Sequence, residues 1–359
     1  MPTLREKIAQ MFLVGVGARE LTNEERMMIE RYSFGGFILF GHNCCDPGQI
    51  LSLTHALWDA SKGLPPFIAI DQEGGRVHRL PKPFAHFPPA ACLGETGNVK
   101  LAYRVARATA EELAAVGINL DFAPVLDVNS NSKNPIIGDR SFASDPQKVI
   151  AFSERWIHGL RDGGIIPCGK HFPGHGDTDK DSHLDLPLVD WSRDELWQVE
   201  LPPFLSACRN GIESLMTAHV LYRALDPKLP ATLSHDIVTG LLRKELDYHG
   251  VVFSDDMEMK AISDHYEVAE AVALCVRAGI DVMLFCHEQL RAIDAFNSLC
   301  SEAEKDATVR SQVENSYNRI IKLKQARLTK FTGLRAEQLE KRLARMNHQG
   351  IVEEIQGNL

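Results

Sequence analysis

Short apolar runs alternate with longer amphipathic stretches along most of the chain. The runs are MFLVGVG (11–17), GGFILF (35–40), PFIAID (66–71), INLDFAPV (118–125), IIPCGKH (165–171), ESLMTAHV (213–220), GVVFSD (250–255) and GIDVMLF (279–285). They are rich in Val, Ile, Leu and Phe and alternate only weakly, the pattern of parallel strands covered on both faces. The stretches between them, such as 99–117, 146–164 and 266–280, repeat Ala, Leu and Val at helical spacing. Several end in Gly just before the next run, the residue expected where a helix stops. Eight strand-then-helix units predict one α/β domain over residues 1–330, a (β/α)8 TIM barrel, with an open doubly wound sheet as the alternative. From about 301 the chain turns strongly charged and helical, and residues 331–359 read as a helical C-terminal tail rather than a second domain. This charged end is expected to lie solvated on the outside of the barrel.

Composition narrows the function more than the fold. With 44% hydrophobic and 24% charged residues the chain is globular, not disordered. Its 48 acidic and 39 basic residues leave a net charge of −9, so neither nucleic acid nor an anionic membrane is an expected partner. No apolar run approaches the roughly 20 residues of a membrane helix. Glu6 and Gln10 interrupt the N-terminal stretch where a signal peptide would be building its apolar core, so an untargeted, cytoplasmic protein is expected. The cysteines at 44, 45, 92, 168, 208, 275, 286 and 300 form no CxxC pair, which suits a reducing compartment.

In such a barrel the chemistry sits at the C-terminal ends of the strands. Asp71 ends the third run and opens DQEGGRVHRL. Asp121 and Asp127 flank the end of the fourth, with GDRSF (138–142) beyond. Lys170 and His171 end the fifth and run into KHFPGHGDTDKDSH (170–183). His219 ends the sixth, and SDD (254–256) ends the seventh. Segment 170–183 gathers His171, His175, His183, Asp177, Asp179 and Asp181 around two glycines and a proline. A polar, mobile loop outside the core is expected there. One chemical reading is a metal site, although the spacing matches neither HExxH nor a His-x-His pair. Another is acid–base catalysis, because Asp181 and His183 at i, i+2 share a face in extended backbone and a carboxylate raises the basicity of an imidazole. Asp255 and Asp256 point to opposite faces of a regular strand, so one looks into the barrel mouth as a candidate nucleophile. The other role open to Asp256 is the N-cap of the next helix. Arg76, Arg79, Arg140 and Lys170 either bridge to Asp71 and its neighbours or hold a neutral ligand rich in hydroxyls.

Taken in order, DQEGGRVHRL, NPIIGDRSF, KHFPGHGDTDKDSH and FSDDMEM resemble the motifs of the family 3 glycoside hydrolases. The nearest likeness is to the single-domain bacterial β-N-acetylhexosaminidases of peptidoglycan recycling, over about residues 5–330. The resemblance implies a retaining mechanism with Asp255, the acid after Ser254, as nucleophile. It assigns the acid/base to His183 assisted by Asp181, where most retaining glycosidases use a second carboxylate. Asp71, Arg79, Arg140, Lys170 and His171 would bind an N-acetylglucosamine ring. The implied substrate is GlcNAc-β-1,4-1,6-anhydro-MurNAc, with or without stem peptide, or a related chito-type sugar. No metal or organic cofactor is implied, and a monomer is expected. Glu258 and Ala261 stand where relatives often carry a small residue or glycine, and His42, Cys44 and Cys45 in the loop after the second strand have no assigned role. A phosphorylase of the same family, a metal-dependent hydrolase and a non-catalytic sugar binder remain as alternatives.

Overall fold

The computed structural model describes residues 2–178, 186–346 and 348–358. Eight parallel strands close into a barrel: β1 (Phe12–Gly15), β2 (Gly36–Leu39), β3 (Phe67–Ile70), β4 (Leu120–Asp121), β5 (Ile166–Phe172), β6 (Ser214–Thr217), β7 (Val251–Asp256) and β8 (Val282–Phe285). Around the barrel β1 pairs with β8, which pairs with β7, and so on back to β2. Each strand is followed by at least one outer helix, as in Pro47–Ala60 after β2 and Pro146–Asp162 after β4. Asp46 and Asp145 cap these two helices ahead of a proline that cannot donate an N–H and so suits the first turn. The expected glycine stops occur at Gly117, Gly164 and Gly279.

The strands differ from their sequence runs mainly in length. Pro124 lacks the N–H that a ladder needs, so β4 is cut to two residues. The backbone beyond it still pairs irregularly, with Cys168 N–H donating to Ala123 O at 3.0 Å. β5 runs on to Phe172, which sets Lys170 and His171 inside the strand, and β6 stops at Thr217, which leaves His219 beyond its end.

Side chains fill the barrel in layers drawn from alternate strands. Ile38, Phe122, Met216 and Leu284 come from β2, the end of β4, β6 and β8, and form an apolar floor at the mouth. The polar groups set around that floor, Asp71, Lys170 and Asp255, come from the intervening strands β3, β5 and β7.

The charged C-terminal end is not simply solvated. In the helix Ala307–Arg327 the side chains of Val309, Val313, Ile320 and Lys324 are buried. Lys324 Nζ donates to Gln10 Oε1 and Gly35 O, both at 2.7 Å, and lies 4.7 Å from the Phe67 ring centre. It thus plugs the barrel at the N-terminal ends of β1, β2 and β3. Beyond it, the helices Ala336–Leu343 and Gln349–Gly357 bury Leu339, Val352 and Ile355. No helix among the described residues is long and apolar enough to cross a membrane.

Burial pushes the Lys324 amine from its ordinary 10.5 down to about 7. Between those values the unfolded chain holds a proton that the folded protein has lost, so this residue makes stability rise with pH. Lys324→Met keeps the stem but has no proton to lose. The unfolding free energy of the natural protein, measured against that variant in urea, should gain about 2 kcal/mol between pH 7 and pH 9. A difference flat across this range would mean that the two carbonyls and the Phe67 ring hold the proton at its ordinary affinity.

Candidate active site

A cavity of about 440 Å³ opens at the C-terminal mouth of the barrel, and all five expected ring-binding residues and Asp255 line it. Asp181 and His183 lie outside the described residues.

One wall is a quartet of opposed charges. Lys170 Nζ stands 2.7 Å from Asp71 Oδ1 and 2.6 Å from Glu73 Oε1. Glu73 also receives two parallel bonds from Arg140, Nε to Oε2 and a terminal amine to Oε1, both at 2.8 Å. Burial alone would raise the Glu73 carboxyl, but Arg140 and Lys170 outweigh it and hold it well below the usual carboxylate range. Burial likewise works against the charge on Lys170, and Asp71 and Glu73 more than restore it. Glu73, Lys170 and Arg140 therefore stay ionised, and the ion pairs with one another and with Asp71 fix the wall. Asp121 lies beneath, fully buried, and accepts the N–H of Gln72 at 2.9 Å, which holds the turn carrying Asp71 and Glu73. Burial pushes Asp121 well above its ordinary value. Arg76 has no part in this wall, because it pairs with Asp139 at 3.3 Å and donates to the carbonyls of residues 135–137.

A second cluster forms around Asp127. Its Oδ2 lies 2.7 Å from His171 Nδ1, and its Oδ1 accepts the backbone N–H groups of His171 at 3.1 Å and His175 at 2.8 Å. A carboxylate only accepts, so the His171 proton sits on Nδ1 and Nε2 faces Arg140 and the cavity. Burial disfavours the Asp127 charge, but His171 outweighs it and keeps the carboxyl low. His175 is also buried, and burial with the neighbouring His171 presses it down to about 4, so it is neutral.

The first half of the His-rich loop is therefore core, contrary to the sequence expectation. His171 to Gly176 and Thr178 are buried. The polarity is absorbed by specific partners: Asn134 donates to His175 O, Gly176 O and Thr178 Oγ1, and Tyr222 donates its hydroxyl proton to Gly174 O. Its two glycines serve close approach rather than mobility. A Cβ on Gly176 would stand 1.7 Å from Val128 O, and one on Gly174, which has φ +131°, would stand 2.3 Å from Glu200 Oε2. Burial, and after it Asp127, pushes Glu200 up to about 8, so a neutral acid packs under the loop and accepts from Ser130 Oγ at 2.8 Å.

The end of β7 departs from strand alternation. Phe253 pairs with Val282 and Asp256 with Leu284, so three residues on β7 match two on β8. This bulge lets Asp255 and Asp256 both line the cavity. Asp255 Oδ1 accepts the N–H of Asp256 at 2.8 Å. Asp256 is not a helix N-cap. Its Oδ1 accepts from Glu258 N at 3.1 Å and Cys286 N at 3.3 Å, tying the turn after β7 to the end of β8. Burial first, then the charges of Glu258 and Asp255, push Asp256 up to about 7.

Residues 3–323, most of the chain, match the Glycosyl hydrolase family 3 N terminal domain. The chain belongs to glycosyl hydrolase family 3. Its similar proteins include the β-hexosaminidase of Alkalilimnicola ehrlichii, 38% identical over 281 residues that cover 77% of this chain and 80% of that one. Beta-hexosaminidase A of Pseudoalteromonas piscicida is 39% identical over 324 residues, 83% of this chain, but the chain spans only 54% of its length. Among solved structures, the family 3 β-N-acetylglucosaminidase from Paenibacillus superposes with a TM-score of 0.88 at 38% identity, covering 96% of this chain and 68% of that one. This family 3 member is a glycoside hydrolase of the β-hexosaminidase kind.

Three residues of this family 3 site escaped the sequence reading or were left without a role. Glu73 stands in DQEGGR two places from Asp71, a spacing that could have marked it as sharing a wall with that acid. Asp127 was noted only as a strand-end acid. Nothing in WQVELPPF distinguishes Glu200, because its role comes from burial beneath a loop from another part of the chain.

Proposed function

We propose that this family 3 enzyme is a cytoplasmic, monomeric exo-β-N-acetylglucosaminidase that removes GlcNAc from GlcNAc-β-1,4-1,6-anhydro-MurNAc, with or without stem peptide, using no metal or organic cofactor. The observation that carries the reading is that Asp255 shares one cavity with Asp71, Arg79, Arg140, Lys170 and His171. A neutral sugar suits this wall: its hydroxyls meet charged groups whose charges are already paired, so no net charge on the ligand is needed. An Asp255 oxygen attacks the anomeric carbon while the glycosidic oxygen leaves with a proton from His183, which Asp181 orients. Water then attacks the same carbon, returns a proton to His183 and frees Asp255, so β configuration is kept.

The direct test is release of nitrophenol from 4-nitrophenyl N-acetyl-β-glucosaminide in phosphate-free buffer containing chelator. Turnover is expected, with β-GlcNAc as the first anomer seen by NMR. Silence without phosphate or metal, or α-GlcNAc as first product, would sink the proposal. A muropeptide disaccharide should be cleaved with higher kcat/KM than plain chitobiose, and the reverse ranking would reject the recycling substrate.

A further inference from the structure

On the reading just given, the bound ring fixes where its leaving group must go. Its hydroxyls meet Asp71, Lys170 and His171 on the β3 and β5 side, and its anomeric carbon meets Asp255 at the end of β7. The substituent on that carbon is thus directed to the rim built from β7, β8 and β2. The residues that line the cavity there include Glu258 after β7, His287 after β8 and Phe40 after β2.

They form one unit. The His287 ring stacks on Phe40 with centres 5.4 Å apart and planes 26° from parallel. Glu258 clamps the turn that carries it, accepting the N–H of His287 at 2.6 Å and of Glu288 at 2.9 Å. His287 Nε2 lies 3.4 Å from Asp256 Oδ2. The imidazole is held by its backbone and its ring face, yet its side chain is 61% exposed. A flat ring fixed at a cavity mouth and open to solvent presents a face that a ligand ring can cover. Its carboxylate clamp uses both oxygens on backbone donors, so Glu258 is spent on positioning and not on ligand.

We propose that the Phe40–His287 stack, positioned by Glu258, is the leaving-group subsite, and that it receives a second pyranose by the apolar C–H face of its ring. This rests on the glycosidase reading, and two substrates separate the two. Chitobiose carries a sugar as leaving group, whereas N-acetyl-β-glucosaminyl fluoride carries a single atom and reaches no further than the reacting carbon. His287→Ala should lower kcat/KM on chitobiose about tenfold more than on the fluoride, the scale of one lost ring contact. His287→Phe, which restores a flat ring, should recover most of that difference, and Glu258→Ala should fall between. Equal losses on both substrates would make the stack merely structural, and no loss on either would remove it from recognition; each overturns the subsite while leaving the hydrolase intact. If the unaltered enzyme turns over neither substrate, the glycosidase reading falls and the subsite with it.

Discussion

Asp255→Ala will cleave 4-nitrophenyl N-acetyl-β-glucosaminide about 10⁴ times more slowly than the unaltered enzyme, a loss of the size seen when a covalent nucleophile is removed. The loss should fall on kcat, because the residues proposed to bind the ring are Asp71, Arg79, Arg140, Lys170 and His171 and not Asp255. The fold should change little. Asp255 is half-buried at the rim, and its removal also relieves the crowding of acids beside Asp256. Azide supplies a second readout. It can enter from the face that the carboxylate vacated and attack the anomeric carbon as the nitrophenolate leaves, so the product is the α-glycosyl azide. Activity retained above about 1% of the original, or a β-azide, would show that another group is the nucleophile.

Asp127→Asn is expected to cost about 10²-fold in kcat/KM while leaving the enzyme folded. The amide oxygen can still accept the two backbone N–H groups that Asp127 now receives. Its NH2 group, however, meets a ring nitrogen that carries a proton, so His171 must turn its tautomer and aim Nε2–H at Arg140. Forcing a wrong histidine tautomer is among the costlier single-atom changes in an active site. Asp127→Ala should be worse in a different way, because three buried donors lose their acceptor, and a loss of about 3–5 kcal/mol of stability is expected. Circular dichroism melting separates the two variants from one another. Near-natural kcat/KM in Asp127→Asn would mean that the orientation of His171 does not matter to binding or catalysis.

The barrel was legible because parallel strands buried on both faces write themselves as apolar runs, and eight of them are hard to mistake. What periodicity could not carry was the local geometry of the polar strand ends. Alternation offered Asp255 or Asp256 a place at the mouth but not both, and the bulge against β8 that admits both leaves no trace in VVFSDD. Polarity suggested that residues 171–178 stay outside the core, yet Asp127, Asn134 and Tyr222 bury them by supplying partners from distant strands and loops. The same holds for the C-terminal helix, whose charged surface hid the one lysine that points inward. The five expected ring-binding residues do meet in one cavity with Asp255, because Asp71, Lys170 and His171 sit at the ends of β3 and β5 and the loops after β3 and β4 bring in Arg79 and Arg140.

The lysine plug also decides when in its synthesis the enzyme can first exist. Gln10 and Lys324 are 314 residues apart, and β1 closes the barrel only against β8. While the chain is still growing, β1 waits with an unpaired edge, the condition under which sheets join wrong partners. Asp71 is made early and Asp255 late, so no part-built product carries the complete cavity. A chain that stops short of Lys324 lacks the side chain that fills the barrel beneath β1, β2 and β3, and is expected to meet proteases rather than to persist as a slower enzyme.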